Sequence, residues 1–305
     1  MEPSRPITQH TPVMPVEVLQ CLSPQSGQTI VDGTLGGGGH TRLLAEAVGP
    51  TGRVIACDQD AVAIERAELA LAGLPITLLH GNFCDLPELL TPLDLPPING
   101  VLLDLGLSSD QLADAERGFS FQLGGPLDLR FDTSRGEPAW RLLNRLSSEH
   151  LADLIFAYGE ERFSRRIARA IVDARQHQTI KTADELAMIV RKAIPKPRHQ
   201  GSQGNDYKRI DPATRTFQAL RIAVNDELKS LEIALKRLPS IMQAGGKLAV
   251  LSFHSLEDRR VKEAFRQDAR YAIITRKPIR PSDDEVARNP RSRSARLRVA
   301  EIANR

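Results

Sequence analysis

Short apolar runs separated by helical spacing dominate the first third of the chain, and most of them end in an acidic residue. After these runs, apolar residues recur at the three- and four-residue intervals of a helix. Repeats of strand, acid and helix predict a doubly wound, mostly parallel α/β sheet that binds ligands at the carboxyl ends of its strands. The predicted strands are residues 30–32, 53–58, 76–83 and 100–106.

A region without strand signals follows from residue 111 to residue 210, where turns give way to helical spacing. Its third predicted helix opens with the capping-box residues Thr182 and Glu185. Residues 195–204 form a basic loop with no apolar face to bury. We interpret 111–210 as an inserted helical domain and 1–110 with 211–305 as the core domain. The helices predicted in the insertion are residues 149–157, 161–174 and 182–193.

The last third of the chain returns to strand signals. Asp211 as N-cap and Pro212 at the first helical position predict a helix start. One apolar stripe then continues through residues 217–238 as a single long helix. The remaining predicted elements are a strand at 246–253, a short helix at 261–265 and antiparallel strands at 271–275 and 295–300. A parallel sheet with an antiparallel C-terminal pair is typical of class I methyltransferases and differs from the sheet of dehydrogenases.

Composition and cysteine usage indicate an ordinary globular protein. Of 305 residues, 41% are apolar and 26% are charged, and no apolar run approaches the length of ~18 residues that a membrane span needs. The polar, proline-broken N-terminus is not a secretory signal. Cys21, Cys57 and Cys84 fit neither a disulfide framework nor a zinc site. We therefore expect a cytoplasmic protein without membrane association or a bound metal.

The charge is distributed unevenly along the chain. Residues 1–104 carry 4 basic and 12 acidic side chains, whereas the remaining residues carry 37 basic and 26 acidic ones. Scattered charge usually marks only a solvated surface, but here the basic residues also cluster. This asymmetry favours a polyanionic partner, most simply a nucleic acid.

Four consecutive glycines, residues 36–39, lie between the first predicted strand and the first helix. Glycines are retained where the backbone approaches a ligand or adopts a positive φ, and a helix N-terminus offers free N–H groups. A phosphate-binding P-loop needs a lysine where this chain has His40. A dinucleotide fingerprint needs a third glycine where the chain has Thr41 or Arg42. The S-adenosylmethionine template D-x-[GT]-x-G-x-G is filled by Asp32, Thr34, Gly36 and Gly38.

Asp58 and Phe83, which follow the glycines in the sequence, match the adenosine part of such a ligand. Asp58 closes the second predicted strand, where an acid accepts hydrogen bonds from ribose hydroxyls of NAD and S-adenosylmethionine alike. Phe83 follows the third strand, where it could lie against the adenine ring or belong to the core. These residues predict an adenosine ligand without selecting one.

The acceptor side of the predicted cleft holds Asp104, Ser108 and Ser109. No cysteine follows Cys84, which argues against methylation of pyrimidine carbon-5, because that reaction needs a cysteine nucleophile. An exocyclic amine needs hydrogen-bond acceptors while its nitrogen attacks. The residues leave nitrogen and ribose oxygen open as targets.

Arginines form the clearest candidate contacts to a nucleic acid. Arg162, Arg165, Arg166 and Arg169 fall on one helical face, and arginine pairs bidentately with phosphate. Residues 276–305 hold nine Lys or Arg against four acids. Aromatic residues make up only 4% of the chain, and the stacking candidates are Trp140, Tyr158 and Tyr207.

Several blocks together resemble the RsmH (MraW) family of methyltransferases, and the resemblance runs from residue 10 to the C-terminus. It implies a class I core with a helical substrate-recognition insertion. It also implies S-adenosylmethionine-dependent N4-methylation of a cytosine in the decoding region of 16S ribosomal RNA. The blocks are residues 32–40, 104–112, 116–121, 125–130, 213–222 and 252–259.

The resemblance implies the cofactor contacts and the rRNA partner, and the positions of residues along the chain give the other candidates. Asp104 is the candidate catalytic residue, and His254 and Asp258 join Ser108, Ser109, Arg165 and Arg166 as substrate-side candidates, although a helix-capping role suits His254 and Asp258 equally. The expected partner is 16S rRNA within the small ribosomal subunit, with a homodimer as an alternative to a monomer. Residues 196–208 match the family less sharply. The implied cofactor contacts are Gly38, Gly39, His40, Asp58, Phe83, Asp104 and Gln111.

Two other functions remain open from the residues alone. A nicotinamide-dependent oxidoreductase would use the same glycine turn and Asp58. A non-catalytic ribosome-assembly factor would keep the fold only to bind RNA.

Overall fold

The computed structural model describes residues 11–195 and 211–304. The chain divides into two compact units, one formed by the residues up to Asp110 and from Leu228 onward, the other by Gln111–Glu227. The second boundary therefore falls after Glu227, later than the predicted position 210. The predicted features at 196–208 and Tyr207 lie outside the described residues.

A seven-stranded sheet with the order β3-β2-β1-β4-β5-β7-β6 forms the centre of the first unit. Strands β1 to β5 pair in parallel, β7 runs antiparallel to β5, and β6 runs antiparallel to β7. The predicted class I (Rossmann-like) sheet with an antiparallel C-terminal pair is confirmed. The strands are β1 Thr29–Asp32, β2 Arg53–Asp58, β3 Ile76–His80, β4 Ile98–Asp104, β5 Met242–Ser252, β6 Tyr271–Ile273 and β7 Arg296–Ile302.

Helices cover both faces of this sheet, so its central strands are apolar on both sides, as parallel strands usually are. On β4, Leu103 packs in one cluster with Val31 and Val250, whereas its neighbour Leu102 packs in a second cluster with Ile30. The helices of this unit, including two that continue across its boundaries, are α1 Pro15–Leu22, α2 Gly39–Val48, α3 Ala61–Ala70, α4 Leu86–Leu90, α5 Ser109–Ala113, α11 Glu227–Arg237, α12 Ser255–Gln267 and α13 Asp283–Arg288.

The second unit is helical in its described part, apart from turns and an isolated bridge between Pro126 and Thr182. α7 packs against α8 and α10, and α8 packs against α9. The three predicted helices are confirmed, and so is the capping box of Thr182 and Glu185. α6 and α1 were not predicted, because each spans only about two turns. The helices are α6 Ala139–Arg145, α7 Ser148–Gly159, α8 Ser164–His177, α9 Ala183–Ala193 and α10 Thr214–Asn225.

Two predictions about the segment after residue 210 are wrong. The stripe through 217–238 forms two helices, because Asp226 between them adopts a left-handed φ of 49°. The first of these begins at Thr214, while the Asp211 carboxylate accepts a hydrogen bond from the Ala213 N–H (2.8 Å) and pairs with Arg191. Apolar spacing cannot register a break at one residue when the periodicity resumes beyond it.

No helix within the described ranges is both long and apolar enough to cross a membrane.

Candidate active site

The glycine turn joins β1 to α2 at the carboxyl edge of the sheet. Gly36 and Gly38 adopt φ values of 51° and 76°, which explains glycine at both positions. Gly38 is the N-cap of α2, and its N–H donates to Leu35 O at 2.8 Å. The first N–H groups of α2 have no carbonyl partner within the helix, so the turn presents backbone donors at this edge.

The buried side chain of Asp32 holds this turn in place through hydrogen bonds. Its carboxylate is fully buried and accepts hydrogen bonds from Thr34 N (3.1 Å) and from the Thr41 hydroxyl (2.7 Å). Burial raises the pKa of Asp32 above its ordinary value. The Thr34 hydroxyl, 3.4 Å from the Asp32 carboxylate, also accepts the N–H of Asp104 at 2.6 Å. Asp32 therefore shapes the turn and joins it to the end of β4.

Asp58 ends β2 beside the same turn. Its Oδ2 accepts the Gly36 N–H at 2.8 Å, and its Oδ1 accepts the Asp60 N–H at 2.9 Å. Burial raises the pKa of Asp58 to about 6, against these two hydrogen bonds, and the charges of Asp60 and Asp32 add to the increase. Each carboxylate oxygen can accept about two hydrogen bonds. Asp58 therefore retains one acceptor position on each oxygen, enough for two hydroxyl groups.

β3 ends at His80, earlier than predicted, and Phe83 begins the 3-10 turn Phe83–Asp85 that follows. The side chain is buried in the core cluster that contains Leu86 and Leu103. A Cβ added to Gly33 would lie 3.1 Å from the Cβ of Phe83, so the phenylalanine also packs next to the glycine turn. The contacts favour a core role, and contact with adenine stays a prediction.

His40 and Asp104 meet where α2 begins and β4 ends. The imidazole is 6% exposed, and its Nε2 lies 3.5 Å from Asp104 Oδ2 without forming a hydrogen bond to any described residue. Burial lowers the pKa of His40, but the nearby Asp104 and Asp32 and the backbone of Val13 outweigh burial and raise it. Asp104 Oδ1 accepts the Gly106 N–H at 3.1 Å. The pair thus places an unsatisfied buried nitrogen beside a partly exposed carboxylate.

Ser108 and Ser109 follow Asp104 in the loop after β4, and Ser108 is buried. Arg291, from the 3-10 turn Pro290–Ser294, donates to the Ser109 hydroxyl and to the carbonyl of Leu107. Burial lowers the pKa of Arg291 below its ordinary value, and the charges of Asp104 and Asp110 offset only part of this decrease. Sequence reasoning missed Arg291, because no local pattern links it to a loop about 180 residues earlier.

His254 and Asp258 lie at the start of α12, where both side chains contact neighbouring residues. The His254 Nδ1 caps the helix by accepting the Glu257 N–H at 3.4 Å. Its Nε2 lies 2.9 Å from Glu257 Oε1 but forms no hydrogen bond to any described residue. Asp258 accepts hydrogen bonds from Arg298 (2.7 Å) and Arg296 (2.8 Å). Burial raises the pKa of Asp258, but the two arginines outweigh it and lower the pKa. These contacts favour structural roles, and substrate contact stays a prediction for both.

The other predicted residues belong to the second unit. Arg165, Arg166 and Arg169 are exposed on α8 and form no ion pair with any residue that the structure describes. Arg162 precedes the helix, with its guanidinium 4.6 Å from the ring centroid of Phe163. Gln111 opens this unit and is buried. Trp140 and Tyr158 are partly buried.

Comparison with known proteins agrees with this geometry. Residues 7–303 match the model of the MraW methylase family. The chain is 47% identical to the ribosomal RNA small subunit methyltransferase H of Syntrophotalea carbinolica, with 97% of this chain and 98% of that protein covered. It is 51% identical to the protein of the same name from Sorangium cellulosum, with 96% and 90% covered.

Among solved structures, an rRNA methylase from Streptococcus thermophilus aligns with a TM-score of 0.42 and 12% identity, covering 100% of this chain and 99% of that one. The family match confirms the sequence resemblance, the methyltransferase activity and S-adenosylmethionine as the cofactor, and it excludes the oxidoreductase alternative. This chain is a member of the MraW methylase family.

Proposed function

We propose that this protein methylates the exocyclic N4 of a cytosine in the decoding region of small-subunit ribosomal RNA. One observation carries the proposal: the Asp104 N–H donates to the Thr34 hydroxyl at 2.6 Å, so a carboxylate suited to the acceptor lies directly beside the glycine turn. The names of these relatives support ribosomal RNA as the substrate. The cytosine and its N4 atom rest on the family resemblance of the sequence blocks.

The residues at the carboxyl edge fit S-adenosylmethionine. Asp58 has an open acceptor position on each oxygen for the ribose hydroxyls, and the glycine turn offers backbone N–H groups for the amino-acid end. The buried Nε2 of His40, which has no hydrogen-bond partner among the described residues, supplies one more polar contact. When bound, this cofactor supplies a methyl group activated by a sulfonium.

Asp104 is the residue placed to handle the amino group of the base. Its Oδ1 is oriented by the Gly106 N–H, and its Oδ2 faces His40 at 3.5 Å, so both oxygens keep acceptor capacity. An N–H of the cytosine amine can donate to this carboxylate, which holds the nitrogen in position. The nitrogen loses a proton on becoming methylated, and the Asp104 carboxylate takes that proton as the general base.

The residues near this edge favour nitrogen over a ribose oxygen. A ribose methyltransferase is expected to use a lysine, but the first lysine of this chain is Lys181. The loops that follow β1 to β4 in the first unit therefore contain none. The loop between β5 and α12, Phe253 and His254, also lacks one.

The test uses small ribosomal subunits purified from cells that lack this enzyme. After incubation with the protein and methyl-labelled S-adenosylmethionine, the rRNA is digested and its nucleosides are separated. We expect label in N4-methylcytidine. Label in 2′-O-methylcytidine, or no label from a protein that still binds S-adenosylhomocysteine, would overturn the proposal.

A further inference from the structure

A cavity of about 310 Å³ lies on the first unit and shares no lining residue with the candidate active site. Its volume falls within the range of ligand-binding pockets, roughly 300–1,000 Å³. Four of its lining residues are basic and none is acidic. The basic residues are Lys262 and Arg266 on α12, Arg276 after β6, and Arg298 on β7.

Among the residues that line this cavity, Arg298 is held in place by an ion pair. It is 6% exposed and donates to Asp258 through Nε (2.7 Å) and Nη2 (3.3 Å). Its Nη1 has no hydrogen-bond partner in the part of the chain that the structure describes. Because Arg296 also pairs with Asp258, the single carboxylate does not neutralise both guanidinium groups. A buried cation with a spare donor therefore faces a cavity that contains no acid.

The other lining residues are two that contacts hold in place, Phe265 and Thr275, and one exposed apolar residue, Ile273. Phe265 is buried and packs against Tyr271, with ring centroids 4.9 Å apart. The Thr275 hydroxyl accepts the Val299 N–H at 2.8 Å, which fixes the chain after β6. Ile273 is 41% exposed on the edge strand β6. Fixed walls beside the exposed cations Lys262, Arg266 and Arg276 suit a ligand with both anionic and apolar parts.

We propose that this cavity binds phosphodiester groups of the RNA substrate, at nucleotides other than the one that is methylated. Arginine and lysine neutralise phosphate, and a guanidinium can do so through two hydrogen bonds. The exposed Ile273 offers a surface for the ribose or base attached to that phosphate. The proposal rests on the proposed function, because it takes RNA as the source of the phosphate.

The strand register places Arg298 near the carboxyl edge of the sheet, where Asp104 ends β4. Asp104 on β4, Leu251 on β5 and Leu297 on β7 are aligned across the sheet, and Arg298 follows Leu297. With strands about 4.8 Å apart, the backbone of Arg298 lies roughly 10 Å from that of Asp104. Asp104 follows Leu103, which packs on the same face of the sheet as Phe265, whereas Arg298 follows Leu297, which packs on the other face, so the two side chains leave opposite faces. An RNA strand that places a base at Asp104 therefore reaches the cavity around the carboxyl edge of the sheet.

The experiment compares two triple variants that each remove three positive charges. The cavity variant is Lys262→Gln, Arg266→Gln and Arg276→Gln. The control variant is Arg53→Gln, Lys229→Gln and Lys236→Gln, three exposed residues of the same unit that do not line the cavity. Fluorescence anisotropy measures the affinity of each protein for a labelled small-subunit rRNA fragment at several salt concentrations.

We expect the cavity variant to lose about tenfold in RNA affinity and the control less than about threefold. The salt dependence, log K against log salt, should flatten by about 0.7 for each phosphate contact that the cavity variant loses. Equal affinities and slopes for the two triple variants would overturn the proposal. So would inorganic phosphate binding that depends on the cavity while RNA binding does not.

Calorimetry with S-adenosylhomocysteine separates these outcomes from misfolding, because both variants should bind it like the unmodified protein. The proposed function can also fail independently. Cavity-dependent RNA binding by a protein that transfers no methyl group would support the cavity and overturn the function. Methylation with no difference between the triple variants would do the reverse.

Discussion

The carboxyl edge of the sheet and the arginine face of α8 use charge in opposite ways. At the edge, Asp32 and Asp58 accept hydrogen bonds from specific backbone and hydroxyl groups, and burial raises the pKa of both. On α8, Arg165 and Arg166 are exposed and form no ion pair with described residues. A site that holds one defined ligand needs fixed geometry, whereas a surface for a polyanion needs charge without a fixed partner.

This difference predicts two kinds of response to mutation. Changes at the edge should remove an interaction that nothing else replaces, with large effects that depend little on salt. Changes on α8 should have small effects that depend strongly on salt, because exposed charges act through a screened field.

The largest effect is expected at Asp104. Asp104→Asn keeps the shape of the side chain but removes the proposed general base, so we expect kcat to fall by about 10²–10³-fold. Affinity for S-adenosylhomocysteine should stay within about threefold, measured by calorimetry. Asp85→Asn, an exposed acid of the same unit, serves as the control. Unchanged methyl transfer would remove Asp104 from catalysis, and unchanged ribosome assembly without methyl transfer would support the assembly-factor alternative.

Asp58→Ala should weaken cofactor binding by ~1.5–3 kcal/mol, or about 10–150-fold in Kd, because two ribose hydroxyls lose a charged acceptor. Calorimetric titration with S-adenosylhomocysteine measures this loss. The exposed Glu46→Gln controls for the change in net charge. An affinity equal to that of the unmodified protein would place the ribose elsewhere.

Cofactor affinity should also depend on pH through Asp58. Because burial raises the pKa of this carboxyl to about 6, the free protein carries it protonated below that pH. Hydroxyl donors favour the ionised form, so we expect binding about tenfold weaker at pH 5 than at pH 7. Asp58→Asn should remove most of this dependence, and His40→Gln reports the share of the His40 imidazole, whose pKa is also raised. A flat profile between pH 5 and 7 would contradict the assignment.

The effect of Asp58 on folding stability changes with pH in the opposite direction to its effect on cofactor binding. The folded, cofactor-free protein holds the proton on Asp58 more tightly than the unfolded chain, whose pKa is the ordinary 3.8. This carboxyl therefore contributes stability at low pH that is lost as the pH rises through about 6.

The smallest effect is expected on α8. Arg165→Gln with Arg166→Gln should reduce rRNA affinity a few-fold and flatten the salt slope by about 1.4 if each residue contacts one phosphate. At saturating RNA, kcat should not change. Lys181→Gln with Lys192→Gln removes two exposed charges of the same unit as a control. A loss that does not vary with salt would show that these arginines act like the residues of the edge.

Sequence patterns predicted the strands well because apolar runs closed by acids are local signals, and β2 matches its predicted range. They assigned Asp32 to the glycine-turn template and Asp58 to the ribose by position alone, and they could not show which carboxylate keeps acceptor positions open. The difference lies in neighbours: the Thr34 and Thr41 hydroxyls enclose Asp32, whereas Asp58 keeps open positions.

Features set by distant contacts or by a single residue escaped prediction. Arg291 reaches the loop after β4 from the far end of the chain, and no spacing rule connects the two. Asp226 ends α10 through one left-handed residue within an unbroken apolar stripe.

The Thr34 hydroxyl bridges the Asp32 carboxylate and the backbone of Asp104. The loop proposed to hold the methyl donor and the strand that carries the proposed general base therefore share one atom. Any change that lets this enzyme accept donors with bulkier alkyl groups would also have to alter this shared contact of Thr34. Loosening the turn would also displace the proposed general base, so variants that admit a larger donor should turn over slowly unless the end of β4 is redesigned with them.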